Sequence, residues 1–415
     1  MQQELASFPI SGRRLAGRTV LQIVPDLHSG GAERTTVDIA AALTESGARS
    51  LVASRGGRML SELQSKGGIW LPFPAATKNP LAMALNSVRL ARLIRDEGVD
   101  IVHARSRAPA WVAYYATRQT GARFITTYHG AYSGASAVKL KYNAIMSAGD
   151  LVIANSKFVA RRIAALHPEA SKRIVVIPRG VDLRAFSPAA VDPRRVEQLR
   201  KSWGVEPHQR IVLLPARLSR RKGHSVLIEA AAQLVAEGLN DVRFIFVGDS
   251  HGEAIKRAIE AQIARAGLAG AVRNAGYCGD MPAAYLAASV AVSPSTEPEA
   301  FGRVAIEAQA MGVPVIVSDH GAAAEIVLAP PETEPCECTG WRVPPADARA
   351  LAEALWEALE LGASARDELT LRARKHVHSH FSLEGMCRLT LEVYESLLAR
   401  RPPFPSWRDD PPLAR

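Results

Sequence analysis

Ser293-Pro-Ser-Thr-Glu-Pro-Glu-Ala-Phe-Gly-Arg-Val-Ala-Ile-Glu-Ala-Gln-Ala-Met-Gly-Val-Pro-Val-Ile-Val-Ser318 reads as strand end, loop, helix and strand, in that order. Val290 to Ser293 closes an apolar run, and a loop with two prolines follows. Phe301-Gly302 then opens an apolar-periodic helix that ends at Met311-Gly312, and Val313 to Val317 is a second buried strand. Ligands of an open α/β sheet bind outside the carboxyl ends of its strands. The unit therefore puts Glu299 and the backbone N–H groups of residues 301–303 at a ligand crevice. Those N–H groups have no helical acceptor, and the helix dipole favours an anion beside them. Glu307 lies deeper in the same helix. A carboxylate accepts hydrogen bonds and cannot donate them, which suits sugar hydroxyls. The plain alternative is two solvated glutamates around a core helix.

The same alternation extends outward in both directions. Thr19–Val24, Arg49–Ser54, Val99–His103, Phe124–Tyr128, Leu151–Ala154 and Ile174–Ile177 read as strands, separated by helical stretches such as Leu81–Asp96 and Val159–Leu166. The pattern breaks near Asp182–Pro193 and restarts with strands at Ile211–Ala216, Arg243–Gly248 and Ala271–Asn274. The expected organisation is α/β: a polar segment 1–18, a parallel α/β domain 19–185, a second one 186–381, a helix within 382–399, and a mobile tail 400–415 with five prolines. A chain of 415 residues is long enough for two such domains.

Residues 1–185 hold 25 Lys and Arg against 12 Asp and Glu, whereas the remainder holds 26 against 29. The whole excess of +10 thus belongs to the first half. A basic half-protein suits a phosphate-bearing substrate, an acidic lipid leaflet or a nucleic acid. No zinc finger, RNP-type strand or helix-turn-helix appears, so nucleic acid is not expected as a partner. No run reaches the roughly 18 apolar residues that span a bilayer, and Met1 to Arg18 has no signal-peptide core. The expected location is the cytoplasm. Cys336-Glu-Cys338 is too tight for a zinc knuckle, so the four cysteines read as free thiols.

Three further stretches carry chemistry. Arg217-Leu-Ser-Arg-Arg-Lys222-Gly223 lies between a strand and a helix; a guanidinium, an ammonium and a permissive glycine can clamp a diphosphate, or simply form a solvated basic turn. Gly30-Gly31, directly after the first strand, allows a phosphate or sugar to touch backbone at a helix start, and a plain capping turn fits the spacing equally. It is neither a Gly-x-Gly-x-x-Gly fingerprint nor a P-loop, which disfavours a dinucleotide-dependent oxidoreductase. His129-Gly130 and His103 each end a strand of the first domain, as Gly248 does in the second.

The segment Pro298-Glu-Ala-Phe-Gly302, followed by Glu307-Ala308 and Ala310-Met-Gly-Val-Pro-Val315, resembles the retaining glycosyltransferases of family 4, which have the GT-B fold: two Rossmann-like parallel-sheet domains facing across a cleft. The resemblance spans about residues 19–398. It implies transfer of a sugar from a nucleotide diphosphate sugar, with no cofactor and no catalytic metal; no Asp-x-Asp pair stands at a strand end. It implies that Arg217 and Lys222 hold the pyrophosphate, and that Glu299 with Phe301 and Gly302 faces the donor. Glu307 would take the ribose. His129 would reach the donor sugar from the first domain, with Gly30, Gly31, Gly248 and Glu325 (in Gly321-Ala-Ala-Ala-Glu325) lining the donor site. The final helix would cross back to the first domain. The acceptor, a glycan or lipid-linked glycan such as lipopolysaccharide core, is expected on the basic first domain, near His103, Lys139 and Lys141. Arg89, Arg92 and Arg95 form a cationic stripe beside Leu85, Leu90, Leu93 and Ile94, a candidate peripheral contact with an anionic membrane and equally an ordinary surface helix. The alternatives are a soluble transferase making a small glycoside or storage polymer, and a non-catalytic nucleotide-sugar binder.

Overall fold

A computed structural model describes residues 15–28, 30–130, 136–250 and 252–399. The polar start, the proline-rich tail and the first part of the stretch after His129 lie outside the described residues. The chain divides into two compact units, one of residues up to Pro178 together with the segment from Glu384, the other from Arg179 to Leu383.

The first unit is built on seven parallel strands: β1 (Thr19–Ile23), β2 (Arg49–Ser54), β3 (Ile69–Pro72), β4 (Ile101–Ala104), β5 (Arg123–Tyr128), β6 (Leu151–Ala154) and β7 (Ile174–Val176). Their order is β3-β2-β1-β4-β5-β6-β7. The second unit repeats the scheme with β8 (Arg210–Pro215), β9 (Val242–Val247), β10 (Val272–Gly276), β11 (Val290–Ser293), β12 (Val315–Ser318) and β13 (Trp341–Val343), in the order β10-β9-β8-β11-β12-β13. Both are Rossmann-like orders, in which the sheet grows one way from its first strand and then reverses. The central strands are buried on both faces, which is why they read as unbroken apolar runs such as Ile211–Leu214. Burying each large aliphatic side chain of these runs contributes about 2 kcal/mol.

The division falls at Pro178/Arg179 rather than at 185/186 because residues 180 and 181 are anchored in the second unit. Val181 bridges to Ser382, and a side chain at Gly180 would overlap the backbone of Leu383. The helix Leu383–Leu398 belongs with the first unit from Glu384 onward, burying Met386, Leu391, Val393 and Tyr394 there. No described helix is long and apolar enough to cross a membrane.

Candidate functional site

In the second unit the strand order reverses between β8 and β11, so the loops leaving these two strands flank the point where such sheets open. The loop after β8 carries the basic turn; the loop after β11 carries Glu299. Their backbones are pressed together. A Cβ at Gly223, whose φ is +73°, would lie 1.7 Å from the carbonyl oxygen of Pro294, so only glycine fits. Thr296 N–H donates to the Arg221 carbonyl at 2.9 Å, and Leu218 N–H to that of Asp249 beyond β9 at 3.0 Å. On the other side, Ala322 N–H donates to the Glu299 carbonyl at 3.0 Å, and a Cβ at Gly321 would lie 2.3 Å from that same oxygen. Glu299 is thus fixed between the loops after β8 and β12.

The result is a charged contact across the switch point. Lys222 Nζ donates to Glu299 Oε1 at 2.5 Å, with the two side chains 20% and 21% exposed. Ser295 Oγ donates to the same carboxylate oxygen. Burial raises the Glu299 carboxyl, but the Lys222 charge and hydrogen bond, the Ser295 hydroxyl and the Arg221 charge outweigh it and leave the group below its ordinary value. Glu299 is ionised at neutral pH and acts there as an acceptor only. Arg217 stands exposed in the same turn, and Gly248 follows β9 with its N–H on the Gly276 carbonyl at 2.7 Å.

The helix Arg303–Ala310 begins after Gly302, an N-cap without a side chain of its own to satisfy the first amides. Its mouth opens into a small pocket whose walls include Ser295, Glu299, Phe301, Gly302, Ser318 and His320. Both ring nitrogens of His320 are buried without a hydrogen-bond partner among the described residues. Sequence reasoning missed Ser295 and His320. The available signals were a serine four residues before Glu299 and a strand-end Ser318-Asp-His320. Glu307 is 8% exposed and already engaged: Tyr285 OH donates to Oε2 at 2.9 Å, and Arg303 Nε to Oε1 at 3.0 Å. Burial and the Glu307 charge push the Tyr285 phenol well up, so it stays a donor. Glu325 is half-buried on the short turn Ala323–Ile326, of which Ala323 and Ile326 line the pocket.

In the first unit, Gly30 caps the helix Gly31–Glu45, and the Glu33 carboxylate lies over it, 2.4 Å from where a Cβ at Gly30 would stand. In this conformation the helix N-terminus is faced by a carboxylate of its own chain. His129, half-buried, follows β5. Lys139 and Lys141 are exposed on the helix Ala137–Ala144, which begins at Ser136. His103 requires a correction. It does not face an acceptor but is fully buried, with Nδ1 2.7 Å from Tyr394 OH and Nε2 2.7 Å from Thr127 Oγ1. Burial and the adjacent Arg105 keep its imidazole far below the ordinary value, hence neutral. The cationic stripe is also re-sorted: Leu90 and Ile94 face the core, whereas Leu81, Leu85 and Val88 point outward with Arg89, Arg92 and Arg95. The four cysteines are free, and no described group of three His, Cys, Asp or Glu could hold a metal ion.

Comparison with known proteins gives the site its context. Residues 29–185 match the family model described as Glycosyltransferase Family 4, and residues 195–376 the model described as Glycosyl transferases group 1. The chain is similar to a GDP-mannose-dependent monoacylated alpha-(1-6)-phosphatidylinositol monomannoside mannosyltransferase of Corynebacterium glutamicum, 27% identical over 325 residues that cover 74% of this chain and 79% of that protein. It is 27% identical over 256 residues to the lipopolysaccharide core biosynthesis mannosyltransferase LpsB of Rhizobium meliloti, covering 59% and 68%. Among solved structures, a glycosyltransferase from Rickettsia africae superposes with a TM-score of 0.82 at 35% identity, over 92% of this chain and 99% of that one.

Proposed function

The chain belongs to the family 4 glycosyltransferases, enzymes of the GT-B fold that use nucleotide sugars, and from that premise we propose that it transfers a sugar, with retention and without a metal, onto a glycan or lipid-linked acceptor of the cell envelope. The observation that carries the reading is the Lys222–Glu299 contact beside the free amides of the 303–310 helix. The leaving diphosphate gains negative charge as the glycosidic bond breaks. Lys222, Arg217 and the amides of residues 301–303 offer positive charge and donors where that charge develops; losing one such group costs about 3 kcal/mol, or roughly a hundredfold in rate.

A diphosphate arriving beside Lys222 competes for its ammonium and frees Glu299 to accept from sugar hydroxyls. His320 supplies a further nitrogen at the same pocket. Glu307, held by Tyr285 and Arg303, keeps lone-pair capacity for a ribose hydroxyl. An envelope acceptor is supported by the names of two relatives, one acting on a phosphatidylinositol mannoside and one in lipopolysaccharide core synthesis. Work at the cytoplasmic membrane face follows from that acceptor.

The test is thermal stability of the protein with UDP, GDP, ADP and CMP, in buffer with EDTA, for the wild type and Lys222→Ala. At about 100 times its dissociation constant a specific ligand adds roughly 2.7 kcal/mol, a shift of a few degrees. One nucleoside diphosphate stabilising the wild type but not the variant is the expected result. No response to any nucleotide, or an equal response in both proteins, would reject this donor site; a response that needs added divalent metal would reject metal independence.

A further inference from the structure

The outer helices of the first unit carry an apolar surface that the fold does not need. In the helix Pro80–Asp96, Leu81 is 79% and Leu85 62% exposed, with Val88 beside them, whereas the polar Asn86 and Ser87 are buried. Asn86 is held inside by its amide donating to the Pro74 carbonyl at 3.2 Å, and Ser87 by its hydroxyl on Met83. The first turns of this helix are therefore turned opposite to what a water-facing helix requires.

Next to this ridge lies a groove of about 490 Å³, walled by Met83, Ala84, Trp111, Tyr115 and Tyr142, with Lys78 at its rim. Trp111, on the helix Arg107–Thr120, stacks on Tyr115 with centroids 6.1 Å apart. Its indole N–H donates to the Tyr142 carbonyl at 3.1 Å, which fixes the wall formed by the 137–144 helix. That helix adds Val138 and Leu140, both exposed.

Charge on these elements is strongly biased to one sign. Residues 78–96, 107–120 and 136–144 contain eight Lys and Arg against one carboxylate, Asp96, at the far end of the first helix. An apolar ridge and groove in so strongly basic a field is a poor match for a protein surface of mixed charge. It matches an interface that is apolar inside and anionic outside. We propose that this face docks on an anionic membrane surface, with the leucine ridge inserted at the acyl boundary, one acyl chain in the groove, and Lys78, Arg89, Arg92 and Lys139 on the headgroups. The inference rests on the envelope-acceptor reading for its purpose, since it would hold the enzyme where a lipid-linked acceptor is displayed.

The experiment is sedimentation of the full chain with phosphatidylglycerol-rich and with pure phosphatidylcholine vesicles, at low and high salt. The proteins compared are the wild type, Leu81→Ser/Leu85→Ser, Arg89→Glu/Arg92→Glu, and Arg257→Glu on the exposed face of the second unit as control. The wild type and the control should bind the anionic vesicles, more weakly in high salt. The leucine pair should lose roughly tenfold or more in partitioning at every salt. The arginine pair should lose binding mainly at low salt, flattening the salt dependence. Wild-type binding no stronger to anionic than to neutral vesicles would overturn the proposal, as would binding untouched by both pairs. A wild-type dimer in light scattering that the leucine pair dissolves would overturn it too, by giving the face to a second copy. A protein that fails to bind vesicles yet keeps its nucleotide-dependent stabilisation sinks this inference alone; one that binds vesicles without any nucleotide response sinks the transferase reading alone.

Discussion

The Lys222–Glu299 contact can be measured as a free energy by a double-mutant cycle of Lys222→Ala, Glu299→Gln and the pair. Breaking a fully buried ion pair from one side costs about 3–5 kcal/mol, and an exposed pair is worth less than about 1. Here each side chain is one-fifth exposed and the Ser295 hydroxyl remains on Glu299 after the lysine is cut. We therefore expect Lys222→Ala to cost about 2 kcal/mol at pH 7, and the double variant to cost about 1 kcal/mol less than the sum of the singles. The pH dependence follows from the sign of the shift. The Glu299 carboxyl is held below its ordinary 4.5, so its pairing stabilises the fold above that value and is lost as pH falls through the folded one. Without Lys222, burial dominates and the carboxyl moves up. The gap between wild type and Lys222→Ala should then narrow between pH 6 and pH 4. Urea unfolding followed by tryptophan fluorescence measures it. Kinetics complete the test: Glu299→Gln should lower turnover roughly a hundredfold while nucleotide affinity barely changes. Additive single variants, within about 0.5 kcal/mol, would show that the contact contributes nothing in solution. A Glu299→Gln protein that no longer binds nucleotide would remove the assigned role.

Two further outcomes are expected. Gly223→Ala should destabilise by more than about 3 kcal/mol and abolish the nucleotide response, because the new Cβ meets backbone at Pro294 rather than a side chain that could move; near-wild-type stability in thermal unfolding would contradict the geometry. Acid should weaken the fold through His224, which burial drives down to about 4 against opposing pulls from the Ser219 and Ala216 backbone, with the Lys222 charge a smaller contribution in the same direction as burial. The folded state then binds fewer protons than the unfolded one between pH 4 and 6.5, so stability is full above 6.5 and falls on acidification, by about 2 kcal/mol from pH 7 to pH 5. Unfolding of His224→Leu at both pH values should show the acid drop smaller than in the wild type by about that amount, the rest remaining with His103 and His376, which burial also lowers.

The alternation of strands and helices and the opening unit were legible because central parallel strands are buried on both faces and so announce themselves as apolar runs. That Lys222 and Glu299 each follow a strand was legible for the same reason, but their contact was not, because it depends on β8 and β11 being neighbours in the sheet. β3 was not, since its apolar run Ile69-Trp70-Leu71 is only three residues long before Pro72 and lies largely exposed at the sheet edge. The 137–144 helix was hidden similarly, because its first residues all face water and leave no periodicity. His103 sits at a strand end, which suggested a cleft, but its environment comes from Tyr394, 291 residues away in sequence. The facing of the 80–96 helix was misjudged because leucines outside and an asparagine inside make sense only once the Pro74 carbonyl stands beside Asn86.

The two sheets reverse at equivalent places yet end in different chemistry, and the difference supports the proposal that the second unit takes the diphosphate. In the second unit, the loops after β8 and β11 leave an ammonium, a carboxylate and open helix amides around a pocket. In the first, the corresponding strands β1 and β4 close on themselves. Arg105, the one guanidinium directly after β4, is buried and turned inward, its Nε and Nη2 on Gln22 Oε1 at 2.8 and 2.5 Å. The helix amides after β1 face Glu33. A diphosphate reaching the amides after β1 would meet the Glu33 carboxylate, and like charges 4 Å apart near a protein surface repel by about 4 kcal/mol. The first unit instead presents its side chains farther along the sheet, at His129 after β5, and on the basic outer helices. That distribution fits the proposal that the phosphates go to the second unit.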